Sequence, residues 1–187
     1  MRAARTSLVA ASAALAIAAL AIPGRARAYE DQFGLAIGAG YAVIPSAGPL
    51  SPAGNPLPQH GFVLQAQGAL GVDDTWEVRA LVGWAMQIEA TPLHRVTGGL
   101  ELVYLVDILE IVPFLGLGLD VPTSILGDEV WVDFAGHAVV GVDWLPEREW
   151  SFGIELRPYV LFTALGRASG DPVWLTVTAR FQFLFEI

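Results

Sequence analysis

The chain has 187 residues, no cysteine and no lysine, and its ten arginines face nineteen acids. The missing cysteines exclude a disulfide framework and thiol chemistry. The acidic balance excludes a nucleic-acid-binding surface, because neutralising phosphates takes clustered cations.

Residues 1–28 read as a secretory signal peptide. Arg2 and Arg5 supply the positive start, Leu8 to Ile22 the apolar run, and Ala26-Arg27-Ala28 the small-x-small cleavage site after Pro23-Gly24. The run is shorter than the roughly 20 residues a spanning helix takes. Cleavage before Tyr29 removes four arginines and takes the net charge from −9 to −13. The remaining domain is 29–187.

That domain is a succession of period-two segments, the signature of strands with two different faces. Residues 31–44 set Phe33, Leu35, Ile37, Ala39, Tyr41 and Val43 against small residues, and the proline-rich stretch 45–60 follows as a long loop. Residues 61–72 alternate again, Asp73-Asp74-Thr75 turns, and 76–89 set Trp76, Val78, Val82 and Trp84 against Glu77, Arg79 and Gln87. After a loop at 90–95, strands are predicted over 96–106 and 111–121, joined by a turn at 107–110. A loop at 122–128 leads to strands over 129–144 and 150–162, joined by a turn at 145–149. A loop at 163–172 precedes the last strand, 173–187, in which every second residue from Val173 to Ile187 is apolar.

Eight strands of this length exceed the ~9–11 residues that a tilted membrane strand requires. Long and short connections alternate, as in outer-membrane barrels. The expected fold is all-β, a closed eight-stranded antiparallel up-and-down barrel. The second face carries Gly, Ala, Thr and Gln with few charges, which suits a crowded lumen better than a watery exterior. The apolar face therefore meets lipid. Trp76, Trp144, Trp150, Phe183 and Phe185 would form an aromatic girdle on the short-turn side, with Tyr41, Trp84 and Phe162 opposite. Pro113 and Pro158 fall inside strands and predict a bulge or break at each.

The signal peptide, the eight alternating segments, the run Pro113-Phe114-Leu115-Gly116-Leu117-Gly118 and the aromatic last strand resemble the small outer-membrane β-barrel family (OmpA/OmpX/OmpW type). The resemblance covers the whole mature chain by pattern rather than by a specific motif. It implies the outer membrane of a Gram-negative cell, contact with outer-membrane lipid, and insertion by the assembly machinery. Ile187 departs from the terminal aromatic usual in that family.

Inward parity gathers Gln67, Arg79, Glu101, His137, Glu155, Arg157, Arg180 and Gln182 into a predicted polar network of the lumen, with His137 near Asp133 and with Glu155, Arg157 and Arg180 close together on neighbouring strands. Buried charges need partners. The network is read as a plug, with a Glu–Arg gate as the sharper alternative, in a narrow channel for small or hydrophobic solutes. Catalytic signals are weak: His60 shares a loop with Ser46 and Ser51, which leaves a lipid-modifying enzyme as a further alternative. No metal-ligand spacing and no cofactor motif is present. The expected role is non-enzymatic, structural or by surface interaction through loops 45–60 and 163–172, with no extracellular partner specified.

Overall fold

The computed structural model describes residues 32–46, 48–106, 110–165 and 172–186. The predicted signal peptide and Ile187 lie outside the described residues, as does most of loop 163–172. Among the described residues nine strands form: β1 (Gln32–Val43), β2 (His60–Gly71), β3 (Trp76–Gln87), β4 (Leu93–Leu105), β5 (Ile111–Leu126), β6 (Glu129–Val132), β7 (Ala135–Glu147), β8 (Trp150–Leu161) and β9 (Val173–Glu186). Chain neighbours pair antiparallel, except that β6 and β7 both pair with β5 and not with each other, and β1 pairs with β9 to close the sheet.

β6 and β7 are one stave. Both pair with β5 in the same register, Thr123 opposite Val132 and Asp120 opposite Ala135. Pairing lapses between them opposite Pro122, which has no N–H to give; the Asp133 amide still donates to the Pro122 carbonyl at 2.9 Å. The barrel therefore has eight staves.

Register fixes its geometry. Successive partners run from Val132 through Thr123, Val96, Trp84, Leu64, Ala39, Ala179 and Ile154 to Val142. One circuit returns to the same stave ten residues further on, 132 to 142. A stagger of this size tilts the strands within the roughly 35–45° found in outer-membrane barrels.

Alternation then separates two chemistries. Outside, Leu117 is 71% exposed and Ile37 68%; inside, Arg157 and Gln87 are fully buried. Water would not tolerate such a continuous apolar exterior; hydrocarbon does. Trp76, Trp144, Phe183 and Phe185 face outward at the short-turn end, and Trp150 is half-buried there. Trp150, Phe152, Phe181 and Phe183 touch one another along that rim, and Trp76 meets Tyr104 edge-on at 5.1 Å. Tyr41, Phe134 and Phe162 face outward near the opposite end.

The short turn at 72–75 is built on Asp73, whose carboxylate accepts hydrogen bonds from the Thr75 amide (2.7 Å), the Thr75 hydroxyl (2.9 Å) and the Trp76 amide (2.8 Å). Those bonds hold its carboxyl below the usual aspartate range.

Three expectations are corrected. The stretch 122–128 is not a loop: β5 runs on to Leu126, and Gly127-Asp128 turns directly into β6. Gly127 takes φ 59°, a conformation natural to glycine. β4 begins at Leu93, so the loop before it is shorter than 90–95. The strand prolines act differently from the expected bulges. The β5–β7 ladder runs through Pro113 unshifted, and opposite Pro158 the β7–β8 ladder loses pairs without changing register. Among the described residues the one register shift lies between Trp144 and Glu147, beside the 148–149 turn.

The placement of Leu117 at mid-wall and Val130 beside the outer turn gives a direct test. Leu117→Arg should lower unfolding stability in lipid vesicles by ~2–4 kcal/mol, while Val130→Arg should cost only about 0–1 kcal/mol. Equal costs in a denaturant titration would contradict the depth assignment.

Candidate functional site

The lumen is layered. At the outer end, Ile44, Leu57, Ala85, Leu93, Leu126, Leu161 and Trp174 belong to one buried apolar cluster. At the short-turn end, Val103, Leu105, Val112, Phe114, Val139 and Leu184 form a second. Between them lies a charged layer to which every stave except β1, whose inward residues there are glycine and alanine, contributes a polar side chain.

Two arginines organise it. Arg157 on β8 reaches Glu101 on β4 at 3.1 Å, Glu155 on its own strand at 3.0 Å, and the Gln65 amide oxygen at 3.0 Å. Arg180 on β9 pairs with Asp143 on β7 and donates to Gln67 at 3.2 Å. Arg79 on β3 pairs with Glu77 at 2.7 Å and lies 3.8 Å from Glu101. The Arg79 and Arg180 guanidiniums both stack on Phe114, 4.6 and 4.9 Å from its ring centre, so the apolar floor supports the charged layer. Glu155 also accepts from Gln65, from Gln67 at 3.1 Å and from Thr178 at 2.9 Å.

His137 bridges two carboxylates. Its Nε2 is 2.8 Å from Glu101, and its Nδ1 contacts Asp120. The two acids sit on opposite edges of the ring, so they do not converge on one metal, and no group of three ligands able to hold a metal occurs among the described residues.

Glycine makes the long-range pairs possible. Glu101, Gly118 and His137 are register partners on β4, β5 and β7, and Asp143, Gly153 and Arg180 are partners on β7, β8 and β9. In each triple the central strand presents no side chain, and the charged groups meet across the gap. A Cβ at Gly118 would overlap the His137 ring, and one at Gly153 would overlap the Asp143 carboxylate.

Of the eight predicted lumen residues, Gln67, Arg79, Glu101, His137, Glu155, Arg157 and Arg180 come together in this layer, each no more than 4% exposed. Gln182 is equally buried but packs beside Gly34, and no hydrogen bond joins it to the layer among the described residues. One local expectation is corrected. His137 meets Asp120 and Glu101, whereas Asp133 accepts from Thr163 at 2.5 Å nearer the outer rim. Glu155, Arg157 and Arg180 are neighbours as expected: Arg157 pairs with Glu155, Gln67 is bonded to both Glu155 and Arg180, and the Arg180 guanidinium itself pairs with Asp143. Glu77, Asp120, Asp143, Gln65 and Thr178 complete the layer and were not singled out from sequence. Their inward parity was visible; their partners depend on the ten-residue stagger.

The segment 48–59 lies over the outer mouth. Ser51, Asn55 and Gly54 close a compact turn through Ser51 N–H to the Asn55 carbonyl at 2.8 Å and Gly54 N–H to the Ser51 carbonyl at 2.9 Å. Its tip reaches β6 on the far side. There the Glu129 carboxylate accepts from the Ser51 hydroxyl (2.8 Å), the Ala53 amide (3.1 Å) and the Asn55 side chain (3.1 Å). Desolvation pushes the Glu129 carboxyl up, but the hydrogen bonds from Asn55, Ser51 and Ala53 outweigh it and hold it below the ordinary glutamate range. His60 does not meet Ser46 or Ser51; its Nδ1 is 2.5 Å from the Tyr41 hydroxyl.

No protein-family model matches the sequence, and no curated protein matches it. Solved structures do. Neisserial surface protein A superposes with a TM-score of 0.66 at 12% identity, over 83% of this chain and 98% of that one. The outer-membrane protein OprG of Pseudomonas aeruginosa superposes with a TM-score of 0.60 at 12% identity, over 86% and 99%. The attachment invasion locus protein Ail of Yersinia pestis superposes with a TM-score of 0.53 at 14% identity, over 83% and 99%. The fold is that of the small eight-stranded outer-membrane barrels. At these identities the likeness concerns the fold alone.

Two predictions follow from the pairing. Arg157→Ala removes a buried guanidinium shared by two buried carboxylates and should cost ~3–5 kcal/mol of unfolding stability, whereas Arg148→Ala, on the exposed turn, should change it by no more than about 0.5 kcal/mol. Comparable losses in vesicle unfolding would contradict the buried-pair assignment. For Glu129 the folded value lies below the unfolded one. Docking of the strap is therefore complete above the unfolded value and lost as pH falls through the folded one. Hydrogen exchange at the Ala53 amide should lose protection over that window, and the window should vanish in Glu129→Gln. Unchanged protection in the native chain would contradict the latch.

Proposed function

We propose that the chain is an exported, non-enzymatic integral protein of the Gram-negative outer membrane. Its lumen is plugged by the polar layer, and it acts structurally or by surface interaction through its outer loops. The signal peptide at 1–28, insertion by the outer-membrane assembly machinery and contact with outer-membrane lipid belong to the same reading.

The observation that carries it is the charged layer held between two apolar layers. Arg157, Arg180, Arg79 and His137 are each matched to carboxylates from other staves or their own. A water-filled pore has no need of such a layer, while a barrel narrow enough to be filled by side chains does. The exposed outer surface of the strap, with Leu50 and Pro56, and the β5–β6 hairpin form the candidate contact face.

A gated narrow channel is the second reading, and one observation favours it. Arg157 already touches both Glu101 and Glu155, so exchanging one partner for the other needs little movement.

Planar-bilayer recording separates the readings. The plug predicts no unitary conductance from the native protein. It also predicts none from Glu155→Gln, in which Arg157 keeps Glu101. Discrete openings in the native protein, or openings created by Glu155→Gln, would replace the plug with the gate.

A further inference from the structure

Closing the wall leaves one short sheet edge outside it. Among the described residues β6 pairs with β5 and with no other strand, so it ends the sheet at the outer mouth. Its ladder fixes what the other side presents. The Asp133 amide donates to the Pro122 carbonyl, and Trp131 opposite Ser124 and Glu129 opposite Leu126 follow at every second residue. Bonding alternates along an antiparallel ladder, so these residues direct their backbone groups at β5 while Val130 and Val132 turn theirs away. Two N–H groups and two C=O groups therefore line the open edge at strand spacing.

This edge is apolar, outside the bilayer and braced. Phe134 and Phe162 meet in the outer aromatic ring, 5.8 Å between ring centres. Val132 and Val130 stand beyond Phe134 on the same stave, roughly 7 and 13 Å further along the strand. The unpaired groups thus lie past the hydrocarbon, which would not tolerate them. Val130 is 61% exposed and Val132 55%. On the inner face Trp131 packs against the apolar cap, and the Glu129 carboxylate is held by the strap. A braced edge loses little freedom when a partner binds. Apart from being short, β6 lacks the devices that blunt an edge: it has no proline, no lysine and no outward-facing charge.

The surroundings select the occupant. Among the described residues the outer end carries Glu89, Asp128, Glu129 and Asp133, and its one arginine, Arg95, is buried in the lumen. A second copy fits poorly. Two copies in one membrane run β6 in the same direction, and antiparallel self-pairing centred on Trp131 sets Glu129 opposite the other copy's Asp133, like charges across one ladder. A basic strand meets neither objection.

We propose that the open edge of β6 docks an extended basic segment of an external polypeptide, which adds to the hairpin as one further strand. Its backbone pairs with Val130 and Val132, and its apolar side chains at alternate positions lie beside theirs. Arginine or lysine flanking them faces the acidic mouth. This rests on the surface-interaction reading and names the partner's chemistry.

Amide exchange on the full-length protein in lipid bilayers tests it. In the protein alone the Val130 and Val132 amides should exchange fast while Trp131, bonded to β5, is protected. The probe is a blocked peptide, Arg-Thr-Val-Thr-Val-Thr-Arg, which should slow exchange at both valines about tenfold or more. The same peptide N-methylated along its centre keeps its charge and should protect neither. Val130→Pro removes an N–H that β5 does not use, which an edge strand tolerates. It should weaken binding about tenfold and leave the Ala53 amide, held by Glu129, as protected as before. Val130→Thr keeps the N–H and should bind within about threefold of the native chain. Slow exchange at Val130 and Val132 in the protein alone would overturn the open edge. No protection by the unmodified peptide up to about 1 mM would overturn the docking. So would equal protection by the N-methylated peptide, a comparison made on the native chain and independent of any variant's folding. Protection that grows with protein concentration, without peptide, would replace the external partner with a second copy. Failed docking leaves the plugged barrel standing, and conductance in bilayers leaves the edge untouched, so the two readings fail separately.

Discussion

The structure depends on the pairing of β1 with β9. In hydrocarbon an unpaired backbone N–H or C=O has no water to turn to, and an open sheet leaves a row of each along both edges. The register from Gln32 opposite Glu186 to Val43 opposite Leu175 removes both edges at once. Closure also creates an inside. Because side chains alternate along every strand, sealing the backbone forces one half of the residues into a lumen too narrow to stay empty.

The contents of that lumen follow from its width and its stagger. Small residues are needed where the wall crowds, and their positions decide which charges meet. Gly118 and Gly153 serve as gaps across which His137 reaches Glu101 and Arg180 reaches Asp143. The resulting ion pairs are not a general gain in stability over an apolar filling of the same shape. They do impose a partner for each charge, and a misregistered strand would separate those partners. We read the charged layer as a specifier of register as well as a filling.

Much of the fold was legible in the sequence because period-two alternation is imposed by the pleat and survives any tilt. The faces, the up-and-down order and the aromatic rim at Trp76, Trp144, Phe183 and Phe185 all come from parity. Partners inside the barrel were not legible in the same way. They depend on how far one strand slides past the next, and a count of residues from the turns ignores a stagger of ten. The pairing of Arg180 with Asp143, across Gly153, is one that such a count did not single out. Prolines misled for a related reason: Pro113 sits where its missing donor disturbs no ladder, while Pro122, read as part of a loop, interrupts one. Glu129 carried no local signal at all, because its donors arrive from residues more than seventy positions earlier.

The comparisons give the architecture independent support while leaving the role to this chain's own residues. Barrels with 12–14% identity share the wall but need share nothing of the lumen or the loops. What distinguishes this molecule is the order of its interior: apolar cap, ion-pair layer, apolar floor.

Closure is the claim on which that order rests, and a cross-link tests it most directly. Ala39 and Ala179 are register partners on β1 and β9, within the Cα separation a disulfide spans, roughly 4.4–6.8 Å. In the cysteine-free background, a chain carrying Ala39→Cys and Ala179→Cys, inserted in lipid vesicles and oxidised, should form the intramolecular disulfide in nearly every molecule. Failure to form it or any other β1–β9 cross-link would contradict the closed barrel, and efficient linkage only at a shifted register would contradict the stagger.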